Sequence, residues 1–326
     1  MFRFFSRNSF LAYAALPVML ILYRLRLISS PEISFVAADT DLYTPLWNLV
    51  FGGIAEGSTL SVAIAIIFAF VVTLVVNALT VTFKFVEHAN NLGGFFFIIL
   101  SSGFIVSQSL HPVSVFAILF GTAVYRMFRG AMSESYERTC FESAFLMSTA
   151  FLFWAKTVWF VPLHAVILFT LRTVSVRSFV AILLGIASPL AIAATYFFCT
   201  DSLVPVVETY LKEMLVPTAF YKTNFFARSY IVVYALILIT AILNSMRNMQ
   251  KIKIIESRFC RAVIWIVFCA SLFIILPLFS FEMQILIAMG GAMLLTSYVM
   301  RLPRYRWQEI FTSVLALAAW IVQWYF

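Results

Sequence analysis

Residues 59–83 read TLSVAIAIIFAFVVTLVVNALTVTF, a run with no charged side chain. A helix crossing the roughly 30 Å hydrocarbon core of a bilayer needs about 20 predominantly apolar residues, and this run exceeds that. In water such a segment would be buried on every side. In lipid it needs only to satisfy its own backbone, which a helix does. The rest of the chain then has to be judged by the same solvent.

The neighbouring sequence makes the same demand. Of the 326 residues, 63% are hydrophobic, 11% are charged and 36 are Phe; the mean hydropathy is +1.01. A soluble domain carries about 25% charged residues, so this chain lacks the means to cover itself with a polar surface. The expected class is an all-α, polytopic transmembrane protein forming one integral membrane domain over 1–326. A β-barrel would show alternating segments of about ten residues instead. The net charge of +8 does not point to nucleic acid, because the basic residues fall between apolar spans and set orientation. Cys140, Cys199, Cys260 and Cys269 have neither metal-ligand nor disulfide-framework spacing, and His88, His111 and His164 are far apart; neither a metal nor a cofactor is expected.

About eleven apolar spans are expected, near 9–29, 59–83, 93–109, 113–127, 141–155, 157–171, 178–198, 229–245, 262–279, 283–300 and 308–325. Arg24 and Arg26 interrupt the first, which reads as a retained helix. The four spans between 93 and 171 are short and form two hairpins, turning at LHP (110–112) and WAKTVW (154–159). Placing the N-terminus in the cytoplasm puts most of the 22 basic residues inside, in loops 84–92, 127–140, 172–177, 246–261 and 301–307. Arg24, Arg26, Lys156, Lys212, Lys222 and Arg228 remain outside, as does the C-terminus. Two long outer loops result, 30–58 and 199–228. In the second, VVETYLKEML (206–215) reads as an amphipathic helix with Glu208 and Lys212 four apart.

The first outer loop holds two acids, Asp39 and Asp41, followed by Tyr43, in DTDLYTPLWNLVFGG (39–53). Acids near a bilayer mark a functional hypothesis. Two readings of them stand side by side. They form an Asx-type turn and helix cap with Tyr43 and Trp47 as interfacial aromatics, or a carboxylate here acts as a general base in a partly dry cavity.

This loop resembles the first outer loop of the C-type membrane glycosyltransferases, which use polyprenyl-phosphate sugar donors. The order of elements through about residue 230 is also similar: a long second span, short hairpin helices, an Arg-rich cytoplasmic turn and a further span leading to a large outer loop. The resemblance implies Asp41 as the base that activates the acceptor hydroxyl and Asp39 as its neighbour; the family's usual acidic doublet is here split by Thr40. The pieces SQSLHPVSVFAILF (107–120), CFESAFLMSTAFLFW (140–154) and RSFVAILLGIASP (177–189) resemble a family of uncharacterised polytopic inner-membrane proteins from Bacteroidota, which supplies no activity.

A polyprenyl-phosphate donor needs outer cations, and Arg228 and Lys222 at the end of the second outer loop suit that role, or else snorkel at a helix end. Lys156 between Trp154 and Trp159 reads as a sugar or headgroup clamp or as part of an interfacial belt. His111 is a turn residue or a site residue. His164, inside a short span, is expected to hydrogen-bond a neighbouring helix. Three functions remain open on the sequence: transfer of a sugar or related group from a polyprenyl-phosphate carrier, a non-catalytic membrane subunit of envelope assembly or secretion, and a small-solute transporter. The expected partners are membrane lipids, the lipid-linked donor and other membrane proteins.

Overall fold

The computed structural model describes residues 1–6, 9–29, 43–55, 57–86, 88, 90–104, 106–133, 136–215, 225–275 and 283–324. Among them the regular structure is helical. The helices are α1 (Phe2–Phe5), α2 (Phe10–Tyr23), α3 (Leu25–Ser29), α4 (Pro45–Phe51), α5 (Thr59–Thr82), α6 (Leu92–Ser102), α7 (Pro112–Ala131), α8 (Tyr136–Phe153), α9 (Val161–Leu171), α10 (Val176–Cys199), α11 (Leu203–Leu215), α12 (Phe225–Asn248), α13 (Ile254–Ile275), α14 (Gln284–Met300) and α15 (Tyr305–Val322). A 3-10 segment, Ala155–Phe160, leads into α9. Among the described residues five helices, α5, α7, α10, α12 and α13, are long and apolar enough to cross a membrane. The chain is a membrane protein.

The starts of these helices follow from local chemistry. Ser9, Thr44 and Ser58 cap α2, α4 and α5 by accepting a backbone N–H three residues on. Ser175 and Ser178 form a reciprocal capping box at α10. His111 caps α7 with Nδ1 accepting the Val113 N–H at 3.2 Å, and Pro112 takes the first position, where its missing donor costs nothing. Arg172 closes α9 in the left-handed conformation.

Two helices form the centre. Every residue of α6 is buried, and nearly all of α14 is; a helix apolar all round belongs inside. They pack on each other, with α5, α12 and α13 against α14 and α2 and α15 against α6. Close approach is built from glycine: a Cβ at Gly290 would meet Val267 of α13 at 2.6 Å, and one at Gly291 would meet Leu238 of α12 at 2.6 Å. Asn77 of α5 pins the start of α6, donating to Asn91 Oδ1 at 3.1 Å and accepting the Gly94 N–H at 3.3 Å. Helices α8, α9 and α10 flank this centre, reached through α7 and α13.

Several expectations change. The short span 113–127 is part of the longer α7, whose basic last turn stays helical. The span 93–109 shrinks to an 11-residue helix, about 16 Å long and half a bilayer core. It ends inside the protein because other helices cover it. The loops expected at 127–140 and 246–261 are mostly helix, since α8 begins at Tyr136, α12 runs to Asn248 and α13 begins at Ile254. Hydropathy marks where charge begins, but backbone hydrogen bonding continues past that point. The extension of α8 is braced by Glu142, which pairs with Arg138 at 2.9 Å and Arg126 at 3.4 Å. Glu142 therefore sits in the second turn as an ion-pair partner.

The Arg-rich turns collect at one end of the bundle, here the basic end. There Phe83 and Phe128 pack on Phe259, and Phe5 accepts the Asn91 N–H. The opposite end carries the candidate site.

Candidate functional site

At this far end, three segments distant in sequence converge over the α7–α8 hairpin. The first is the α4 entry. The Thr44 hydroxyl, wholly buried, donates to the Phe153 carbonyl at 2.9 Å, and the Tyr43 ring lies 6.4 Å from the His111 ring. The second is the turn after α8. Trp154 points inward against Phe116 and Phe160, and Lys156 is 5% exposed. The third is α11. Its buried face carries Tyr210 and Glu213; the Tyr210 hydroxyl donates to Leu152 O at 2.8 Å, and Glu213 accepts the Ala155 N–H at 3.3 Å. Glu213 thus lies beside the segment that bears Lys156. Trp159 is more exposed and donates to Met214 O.

The electrostatics of this roof follow from its dryness. Burial raises the Tyr210 hydroxyl pKa above its ordinary value, and the Glu213 charge adds to it. Tyr210 therefore stays a donor. A carboxylate and an ammonium held away from water act on a bound group far more strongly than solvated ones do. His111 accepts at Nδ1, so its neutral ring carries the proton on Nε2, and that ring is 7% exposed. Beneath the roof lies an apolar slot of about 370 Å³ between α4, α8, α10 and α11. Leu46, Thr149, Ile192 and Tyr210 line it, and Leu49 and Tyr196 are exposed at its sides.

A second polar cluster occupies the far end of α2. Arg24 breaks the helix, is 2% exposed, and donates from Nη1 to the Gln108 carbonyl at 3.1 Å. Among the described residues its guanidinium meets no carboxylate, and its Nε has no hydrogen-bond partner. The Gln108 amide donates to Ser102 O at 2.7 Å, while Gln108 Oε1 and the Ser102 hydroxyl are also without partners. Arg26, two residues on, lies over the Trp324 ring at 5.7 Å.

Of the residues singled out in the sequence, the fold brings Tyr43 and His111 together and buries Lys156 in the turn that follows α8, whose last residue, Phe153, bonds Thr44. Arg228 is exposed near the start of α12. Asp39, Asp41 and Lys222 lie outside the described residues. The hydrogen bond expected for His164 to a neighbouring helix is not made among the described residues, where both ring nitrogens are buried without a partner. The sequence reading assigned no role to Glu213. Its signal was present, because Val206, Tyr210 and Glu213 recur at four- and three-residue spacing and so put an acid on the apolar face of α11. Burial of Lys156 had no such signal. Glu208 and Lys212, on the exposed face, approach to 4.0 Å as expected.

No family model matches the chain, and neither a curated protein nor a solved structure matches it.

Proposed function

We propose that the protein is a multi-pass inner-membrane component of cell-envelope biogenesis that transfers a sugar or related group from a polyprenyl-phosphate carrier at the outer face. In this reading about eleven segments cross the membrane or enter it. The N-terminus and the basic end face the cytoplasm, and the far end and C-terminus face outward. The observation that carries it is the packing of Tyr43 beside His111 at the α4 entry and of the buried Glu213 on the turn that bears Lys156, both next to an apolar slot whose wall includes Tyr210. The slot takes part of the prenyl chain. Lys156, with Arg228 and Lys222 from the second outer loop, offers cations to the phosphate. Asp41, with Asp39 as its neighbour, or Glu213 supplies the base. It removes the acceptor hydroxyl proton, the oxygen attacks the anomeric carbon, and the bond to phosphate breaks with its electron pair leaving on the polyprenyl phosphate.

One observation favours a non-catalytic subunit instead: Glu213 already accepts a backbone N–H, which is how a purely structural acid is held. The two readings separate in cells that carry wild type, Asp41→Asn, Glu213→Gln or Lys156→Met at equal membrane abundance. Polyprenyl-linked and surface glycans are profiled by mass spectrometry. Loss of a general base lowers transfer by about 10²–10⁴-fold, so the base variant accumulates the lipid-linked donor and loses its product. Whichever acid variant shows this is the base. Unchanged glycans in all three variants leave only the subunit reading.

A further inference from the structure

Helix α11 has three faces, and the roof uses only one of them. Tyr210, Glu213 and Met214 hold it to the protein: the Tyr210 hydroxyl donates to Leu152 O, Glu213 accepts the Ala155 N–H, and Met214 O accepts from Trp159 Nε1 at 3.3 Å. Glu208 and Lys212 form a second, polar face in water. The third face is apolar and bare. Val204, Val207, Leu211 and Leu215 are exposed by 70%, 47%, 55% and 65%. Their spacing of three, four and four residues sets them in one stripe, about 16 Å long at the helical rise.

The position of α11 says what covers that stripe. Helix α10 ends at Cys199, and the turn Thr200–Ser202 reverses the chain at once. Asp201 takes the left-handed conformation there, and the N–H groups of Thr200, Asp201 and Ser202 donate to the carbonyls of Tyr196, Phe198 and Phe197. So α11 begins level with the end of α10. Its bonds to the rest of the protein fall between Leu152 and Trp159, where α8 gives way to α9. It therefore lies across the ends of these helices. Helix α10 is long and apolar enough to cross a membrane, and most of its surface is exposed, with Ile192, Tyr196 and Phe198 near its end. That surface meets lipid. The stripe on α11 continues it at the level where the polar turn marks the boundary with water. Left in water, its four large side chains would forgo the driving force that apolar surface gains on leaving water.

We propose that α11 is an interfacial helix whose partner is the lipid surface: Val204, Val207, Leu211 and Leu215 sink among the lipid chains at the far end, Glu208 and Lys212 stay in water, and Tyr210 and Glu213 stay on the protein. A helix seated this way buries its apolar face about 5–10 Å into the boundary between headgroups and chains. The exposed charges of α11 are one acid and one base, which give anionic headgroups no net attraction. The seat is therefore apolar and does not need anionic lipid. Tyr210 of the same helix walls the slot, so the membrane seat holds that wall at the lipid surface. This seat does not depend on the transferase reading and stands if that reading fails.

The test uses the full chain with Cys199→Ser and Cys269→Ser, since Cys140 and Cys260 are buried, reconstituted in phosphatidylcholine vesicles. A nitroxide is attached to one introduced cysteine at a time. Val207→Cys and Leu211→Cys report the stripe, and Glu208→Cys and Lys212→Cys report the polar face. Electron paramagnetic resonance power saturation compares collisions with oxygen, which concentrates in lipid, and with a water-soluble nickel chelate. The probes at 207 and 211 should favour oxygen and lie about 5–10 Å below the headgroups, while those at 208 and 212 favour nickel. Adding phosphatidylglycerol should leave the depth unchanged. Nickel reaching 207 and 211 as freely as 208 and 212 overturns the proposal, because the stripe is then in water. Exclusion of both reagents from 207 and 211 overturns it too, because protein then covers the stripe. So does a seat that forms only with phosphatidylglycerol present. Should either stripe variant fail to reconstitute, Val204→Cys and Leu215→Cys report the same face and decide between the same outcomes.

Discussion

Replacing Arg24 by Met should make the protein more stable. Arg24 is buried to 2% exposure, and its side-chain hydrogen bond runs from Nη1 to the Gln108 carbonyl. Removing the guanidinium sacrifices that charged hydrogen bond, about 1.5–3 kcal/mol. It also removes an ion held in a dry interior without a counter-charge among the described residues, a penalty of several kcal/mol. Methionine follows the same apolar path and tolerates irregular space. The balance favours Arg24→Met by about 1–3 kcal/mol, the difference of those two contributions. The assay is the unfolding midpoint of the purified protein in one detergent, read by tryptophan fluorescence. Arg24→Met should unfold at the higher midpoint. A lower midpoint for Arg24→Met would refute the argument: Arg24 would then be held by contacts that outweigh its desolvation. Destabilising charge kept at the end that bears the candidate site is how function opposes stability.

Two further outcomes test the packing. Gly290→Leu puts a Cβ 2.6 Å from Val267 in a close-packed centre; it should cost about 1–3 kcal/mol or more and lower the unfolding midpoint. Asn77→Leu removes the bonds to Asn91 and Gly94 and leaves a buried N–H without its acceptor, so about 2 kcal/mol should be lost. In the second case a midpoint within error of wild type would mean that α6 is positioned without Asn77.

The composition and the uninterrupted run at 59–83 determined the solvent of this protein, because the hydropathy of a segment does not depend on what it packs against. Helix starts at Ser58, His111 and Ser175 were equally local, since a cap needs only its own next turn. The Glu208–Lys212 pair on α11 was legible for the same reason. What the sequence left open was which apolar helices face lipid and which face protein. Helices α6 and α5 are both apolar and uncharged, yet α6 is entirely buried and α5 is partly exposed. The packing of α2, α5, α14 and α15 around α6 decides that, with the close contacts of Gly93 and Gly94 on Thr80 and Thr73 and the Asn77 bonds fixing the α5 side. The candidate site divides in the same way. Residues 43, 111 and 156 carried chemistry visible in the chain, whereas their meeting with Glu213 depends on α11 folding back onto the end of α8. Likewise His164 looked like a residue with a neighbour to bond. The tertiary structure set it on the wall of a cavity between α8, α9 and α10 instead, because that gap is set by helix packing over the whole length of α10, which no local pattern records.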